Sequence, residues 1–470
     1  MKPAGSVFVL LLAGCVATPS TTPKETPLAP QALGLNDAPA PLIADQWWTA
    51  FGDPELNALE QEGLQKSPTL ANAMARVRDA EAQLAESRAA RYPQVTFDAE
   101  EQRERFSKDY IIPPPFGGST RFIGTVGANL SWSLDLFGKQ AAQIARARAT
   151  ADAARLDADA ARILLAGTIA QTYIQFARDE VLETVSREAL TERSEVLALT
   201  RGRVNAGLET KAAEKQAEAL YELAREDATA AGAAKETDIH LLAQLTGRGA
   251  DAYAMPTPHL DPRALALPGI LPADLLARRA DIAAAEARVK AAMKGRLAAQ
   301  RAFYPDINLL AMAGWAAIGL APMFSASAFQ AAAGPALHLP VFDAGTLRAR
   351  YAGATAELDS AIADYNESVV GAVRGAADAI TDLKKLEQQS GEQTLALSAA
   401  EESFRLARER YRSGLNPQQT MLDAEATVIS ARRQLASLTY QLLDARVALV
   451  MALGGGFGGA ESMAEKEKRP

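Results

Sequence analysis

Few residues in this chain are able to do chemistry, and their spacing narrows what that chemistry is. Cys15 is the only cysteine in 470 residues, so it has no disulfide partner within the chain. The three histidines, His240, His259 and His338, lie far apart and beside no cysteine or acidic cluster. Isolated imidazoles of this kind point to no metal site and no catalytic pair. No nucleophile–base constellation, phosphate loop or metal spacing is present, so an enzyme is the weakest class and no cofactor is expected. The net charge of −8 and a pI near 5.3 argue against a nucleic-acid surface, which is basic. What remains is one thiol near the N-terminus. Residues 1–14 carry one lysine, the apolar run Val7–Leu12, and then Ala13 and Gly14. That order is a signal peptide with small residues before its cleavage point. The apolar run is far shorter than the about 20 residues of a membrane-spanning helix.

Leu12-Ala13-Gly14-Cys15 resembles a bacterial lipoprotein lipobox. The resemblance implies cleavage before Cys15 and acylation of its thiol and new amino group, with palmitate as one acyl chain. Val16 follows the cysteine in place of Asp, which by similarity to lipoprotein sorting favours the outer membrane. Residues 15–45 are rich in Pro, Thr and Ala and read as a lipidated, flexible tether. Order begins at Trp47-Trp48, and helical periodicity after Asp53-Pro54, an N-cap followed by proline in the first helical position.

The elements behind this anchor repeat. Ala75-Arg76-Val77 and Tyr92-Pro93 recur 212 residues later as Ala287-Arg288-Val289 and Tyr304-Pro305. Leu130, Gly138, Gly207 and Gly247 recur 207 residues later at Leu337, Gly345, Gly414 and Gly454. One duplication therefore covers nearly the whole mature chain. The first repeat is 46–247, with strands at about 94–103 and 122–135 and a helical hairpin at 139–247. The second is 271–454, with strands at about 306–316 and 328–339 and a hairpin at 346–453. A linker, 248–270, joins them, and 455–470 is a disordered tail.

Two stretches, Gly138 to Gly207 and Gly345 to Gly414, are equal in length, lack proline and are rich in Ala, Leu, Arg and Glu. As continuous helices they reach on the order of 100 Å. Ala149, Ala153, Leu156, Ala160, Ile163, Gly167, Ala170, Ile174, Ala177 and Val181 repeat at 4-3 spacing. Met421, Ala424, Val428, Ala431, Leu435, Leu438, Leu442, Ala445, Leu449 and Ala452 do the same in the last helix. Such heptads mean coiled-coil packing, and the small seam residues allow close axes.

The inserts alternate with period two. Phe122, Gly124, Val126, Ala128, Leu130, Trp132 and Leu134 share one face, while Thr125, Asn129, Ser131 and Ser133 fall on the other. The two repeats give four strands of roughly 10–13 residues, and a membrane strand needs about 9–11. Four strands cannot close a barrel, and open edges are not tolerated in lipid. Either they pack on the helices as a soluble sheet, or several copies share one barrel. Likewise the chain is either an export duct or a structural, periplasm-spanning lipoprotein that conducts nothing.

Trp47-Trp48, Phe51-Gly52-Asp53-Pro54-Glu55-Leu56, Trp132-Ser133-Leu134-Asp135-Leu136-Phe137-Gly138 and the run Leu271–Ile282 resemble the NodT-type lipoproteins of the TolC-like outer-membrane factor family. One departure is Ala280, where the family has proline, which should weaken a helix start. The resemblance implies a mainly α fold with a membrane β-barrel portion. It implies a homotrimer whose four strands per chain close a 12-stranded barrel continuous with a periplasmic α-helical tunnel. It further implies a passive duct in a tripartite efflux system. The partners are outer-membrane lipid, a periplasmic adaptor and an inner-membrane pump of the resistance-nodulation-division type. Arg203, Ala206, Gly207 and Leu208, with Arg410, Ser413, Gly414 and Leu415, match the adaptor-contacting tips. Asp423, nine residues past Gly414, matches an acidic periplasmic gate, and a second acidic position falls at Thr420. Tyr411 matches a residue that helps hold the tips closed, and its basic partner falls at Asn416.

Overall fold

The computed structural model describes residues 21–28, 43–109, 111–249, 254–265, 278–319 and 321–457. The signal peptide, Cys15, most of the 15–45 tether, parts of the linker, the start of the Leu271–Ile282 run and nearly all of the tail lie outside the described residues. A short 3-10 turn, Trp47–Phe51, leads into α1 (Pro54–Lys66) and α2 (Pro68–Ala89). Strands β1 (Gln94–Arg105) and β2 (Thr120–Ser133) follow, then α3 (Lys139–Asn205) and α4 (Lys211–Thr246). The second repeat has the same order: α5 (Ala280–Arg301), β3 (Asp306–Ile318), β4 (Phe329–His338), α6 (Thr346–Arg412) and α7 (Gln418–Ala452). The two long helices, α3 and α6, have 67 residues each. Helix α5 starts at Ala280 with no proline there, and Arg279 and Asp281 are paired at 2.7 Å.

Two aspartates start the long helices. Asp135, at φ 45°, accepts from the backbone N–H of Gln140 (2.8 Å) and Ala141 (2.7 Å). Asp343 accepts from Gly345 (3.0 Å) and Leu347 (2.6 Å). These carboxylates satisfy N–H groups that a helix leaves unpaired at its first turn. The cap at Asp135 also ends β2 at Ser133, two residues before the sequence alternation stops.

The chain divides into two compact units. One unit, 76–154 and 284–366 with an N-terminal stretch, holds a four-stranded antiparallel sheet in the order β1-β2-β3-β4. Small apolar clusters join its helices: Leu84 with Ala151, and Val289 with Leu358 and Ile362. Part of the expected flexible tether is fastened here. Asp359 accepts from the backbone N–H of Lys24 (2.8 Å) and Glu25 (3.1 Å). Asn366 donates to the Thr26 carbonyl (3.0 Å) and Arg296 to that of Thr21 (2.8 Å). Proline-rich composition withholds a core, but these helix side chains supply partners for the extended backbone.

The other unit has its own core, in which Trp47, Trp48, Phe51, Leu56 and Leu59 pack with Ile169, Tyr173, Phe176, Leu242 and Val447. Asp53 clasps it together. One carboxylate oxygen caps α1 at Glu55 (2.8 Å) and Leu56 (3.3 Å). The other accepts from the Tyr173 hydroxyl (3.0 Å) and the His259 backbone N–H (2.8 Å). No predicted seam residue of α3 or α7 is exposed. Helix α7 is long and apolar enough to cross a membrane, yet Met421, Val428, Leu438, Val447 and Leu449 are buried among its neighbours.

Candidate functional site

The two glycine turns close the long helices with the same geometry. Gly207 has φ 70° and Gly414 has φ 74°, the left-handed region that glycine enters without a Cβ penalty. Leu208 N–H donates to the Arg203 carbonyl and Leu415 N–H to that of Arg410, both at 2.8 Å. Gly207 donates to Val204 and Gly414 to Tyr411, both at 3.0 Å. These paired bonds form the Schellman motif at each end. Leu208 and Leu415 are left 64% and 69% exposed at the two tips. Ala206, Gly207, Arg410, Ser413 and Gly414 are exposed beside them, whereas Arg203 is half-buried.

Arg203 turns onto the second hairpin. Its guanidinium lies 4.8 Å from the centre of the buried Tyr411 ring, a cation–π contact strengthened by burial. Burial also raises the Tyr411 hydroxyl above its ordinary pKa. Asn416, at the position of the expected basic partner, instead accepts from Arg410 at 3.2 Å. The cation on Tyr411 therefore comes from the other repeat. Gln418 donates to Thr200 (2.8 Å) and Gln216 to Gln419 (2.9 Å), so the two hairpins are bonded side by side.

Asp423 is exposed on α7, one turn past Gln419, whose side-chain amide donates to its carboxylate at 2.6 Å. Behind it sits a pair that periodicity does not reveal. Arg193 of α3 and Glu425 of α7 meet at 2.8 Å, both buried. Burial pushes the Glu425 carboxyl up to about 7, against the pull of Arg193. Arg432 binds Glu192 (3.1 Å) and Glu401 (3.2 Å), joining α3, α7 and α6. The only sequence signal is polar residues beside a heptad seam, and their partners lie far away in the chain. Among the described residues, no group of three or more His, Cys, Asp or Glu is placed to hold a metal ion.

In β1 and β2 one face is apolar and the other polar, whereas β3 also carries Leu310 and Met312 on that second face. Val95 (66%), Phe97 (70%) and Phe329 (51%) are exposed on the apolar face. On the other face Asn129 and Thr96 both donate to Asp98, at 2.9 and 3.1 Å. Near one end Trp132 donates its indole N–H to Arg91 (3.0 Å). At the other end Trp315 packs edge-on against Phe324 (5.9 Å) and Phe329 (5.7 Å). An exposed apolar band flanked by aromatic residues fits a membrane strand, and strands β1 and β4 leave both edges of the sheet unpaired. A soluble sheet packed on helices would have buried that face.

Comparison with known proteins gives the same picture. A family model described as outer membrane efflux protein matches residues 59–248 and 271–455. The chain is similar to the multidrug resistance outer membrane protein MdtQ of Escherichia coli O6:H1, with 32% identity over 463 residues, covering 96% of this chain and 97% of that one. It is also similar to the toluene efflux pump outer membrane protein TtgC of Pseudomonas putida, at 29% identity over 459 residues, 96% and 95% covered. The crystal structure of VceC from Vibrio cholerae superposes with a TM-score of 0.81 at 31% identity, covering 88% of this chain and 100% of that one. The CmeC channel of Campylobacter jejuni gives 0.86 at 21% identity, covering 96% and 98%, a likeness of fold alone.

Proposed function

The chain belongs to the outer membrane efflux protein family and is an outer-membrane efflux channel with a periplasmic extension, and from that premise we propose how it assembles and works. Three copies form a homotrimer in which β1 of one sheet pairs with β4 of the next, closing a 12-stranded barrel. The observation that carries this reading is the open sheet with an exposed apolar face. In lipid each unpaired backbone group costs several kcal/mol, so closure must come from neighbouring copies. The long hairpins continue the barrel as a periplasmic tunnel. Their tips, at Arg203, Ala206, Gly207 and Leu208 and at Arg410, Ser413, Gly414 and Leu415, receive a periplasmic adaptor linked to an inner-membrane pump of the resistance-nodulation-division type.

In this reading Asp423 lines the aperture, and three copies set three carboxylates around one axis as a cation-sensitive gate. Arg203 stacked on Tyr411 holds neighbouring hairpins together in the resting state. Cys15 carries the lipid anchor. The duct is passive, exports small molecules delivered by the pump and performs no catalysis. Light scattering of the detergent-solubilised protein is expected to give three copies of the mature chain. Planar bilayers should then show small, cation-sensitive conductance that rises on Asp423→Ala. A trimer that conducts nothing even with that substitution would overturn the duct.

A further inference from the structure

All four strands meet the helices at one end of the sheet, and a cavity of about 540 Å³ lies there. The strand residues that line it, Ser133, Asp306 and His338, come from the polar face; Asp306 pairs directly with His338, and Ser133 with Asn308. Three cations line the same space: Lys139 opening α3, Arg301 closing α5 and Arg350 near the start of α6. None of the three forms an ion pair among the described residues, although three carboxylates share the cavity.

Those carboxylates are engaged elsewhere. Asp135 and Asp343 each use both oxygens on backbone N–H groups that begin a long helix. The N–H groups of Leu347 and Gly345 hold the Asp343 carboxyl below its ordinary pKa. Asp306 accepts from the Ser133 hydroxyl at 3.3 Å. The Arg301 guanidinium instead rests 5.6 Å from the centre of the Tyr304 ring, which stacks on Phe137 at 5.3 Å. A guanidinium on an aromatic platform keeps its in-plane donors available. The cavity thus holds cationic donors that no acidic side chain takes up, the groups that charge-assisted binding of an oxyanion uses.

We propose that this cavity is a binding site for a polyvalent oxyanion, a phosphate- or carboxylate-bearing solute in transit, held by Lys139, Arg301 and Arg350. The proposal rests on the duct reading, in which the polar face lines the lumen. A channel so equipped would retard multiply charged anions near its barrel floor while passing singly charged ones. The probe is inorganic pyrophosphate, applied to the full-length protein. Equilibrium dialysis of the solubilised protein should detect binding that the triple variant K139Q/R301Q/R350Q weakens by about tenfold or more. In planar bilayers pyrophosphate should block wild-type current, and the triple variant should need about tenfold more for the same block. Its reversal potential in a salt gradient should also move toward cation preference. Charge-keeping substitutions that leave the stacked Arg301 in place, Lys139→Arg with Arg350→Lys, should retain most of the binding, which separates lost charge from lost fold. Equal binding in wild type and triple variant would overturn the site, as would loss that the charge-keeping variant shares in full. Binding without any conductance would overturn the duct and leave the site standing, whereas conductance without binding would do the reverse.

Discussion

Glu60 is the most isolated charge-bearing residue of the core. It is fully buried in α1, and neither carboxyl oxygen has a hydrogen-bond partner. Burial raises its pKa from 4.5 to about 9, so the folded protein keeps a proton that the unfolded chain releases across that window. The favourable contribution is complete below 4.5 and is lost as pH climbs toward 9. Glu60→Gln removes the titration. Its melting temperature should nearly match wild type at about pH 5 and exceed it by several degrees at about pH 9, read by circular dichroism. The buried Arg193–Glu425 pair behaves differently, because Arg193 pulls against the burial that raises the Glu425 carboxyl. Arg193→Met alone should cost about 3–5 kcal/mol by stranding Glu425, while Arg193→Met with Glu425→Leu should recover most of that loss. Denaturant titration of both variants tests this. At the surface, Leu208→Asp with Leu415→Asp should abolish co-purification with the adaptor and change stability by less than about 0.5 kcal/mol per site.

Helices and strands were largely legible because their signals are local and periodic. The 4-3 spacing marked which residues of α3 and α7 are covered, and the period-two pattern marked both faces of β2. The glycine stops were readable because the left-handed turn depends on a single residue type. What could not be read was partner choice. A heptad names the seam and not the helix opposite, so neither Arg193–Glu425 nor Arg203–Tyr411, each more than 200 residues apart in sequence, has a periodic trace. The fastening of 21–28 was hidden for the same reason, since Asp359 and Asn366 look like ordinary exposed polar residues on a helix. Packing at these seams is close: Ala170 has no exposed surface. Ala170→Leu should therefore overpack the core by about 1–3 kcal/mol, seen as a lower melting temperature with unchanged helix content.

At the level of the whole molecule, the proposed anchor, barrel and tunnel would be three ways of fixing one chain with respect to a membrane. The anchor is separable from the others by substitution. Cys15→Ser should abolish incorporation of labelled palmitate, and undiminished labelling would refute acylation at that thiol. The grip of Asp359 on Lys24 and Glu25 predicts a further difference. Asp359→Ala should hasten tryptic cleavage at Lys24 while acylation of Cys15 continues, as mass spectrometry of the released peptide would show.

The unpaired edges of the sheet carry a genetic consequence. A subunit whose β1 is blocked by proline spoils not only its own closure but that of any ring that admits it. In the proposed trimer, with equal expression of sound and blocked chains and random mixing, only about one ring in eight contains sound chains alone. Such an allele should act as a dominant negative, lowering efflux through the channel well below half even in a cell that also carries an intact gene. An allele that merely fails to fold and is degraded would leave that cell close to normal.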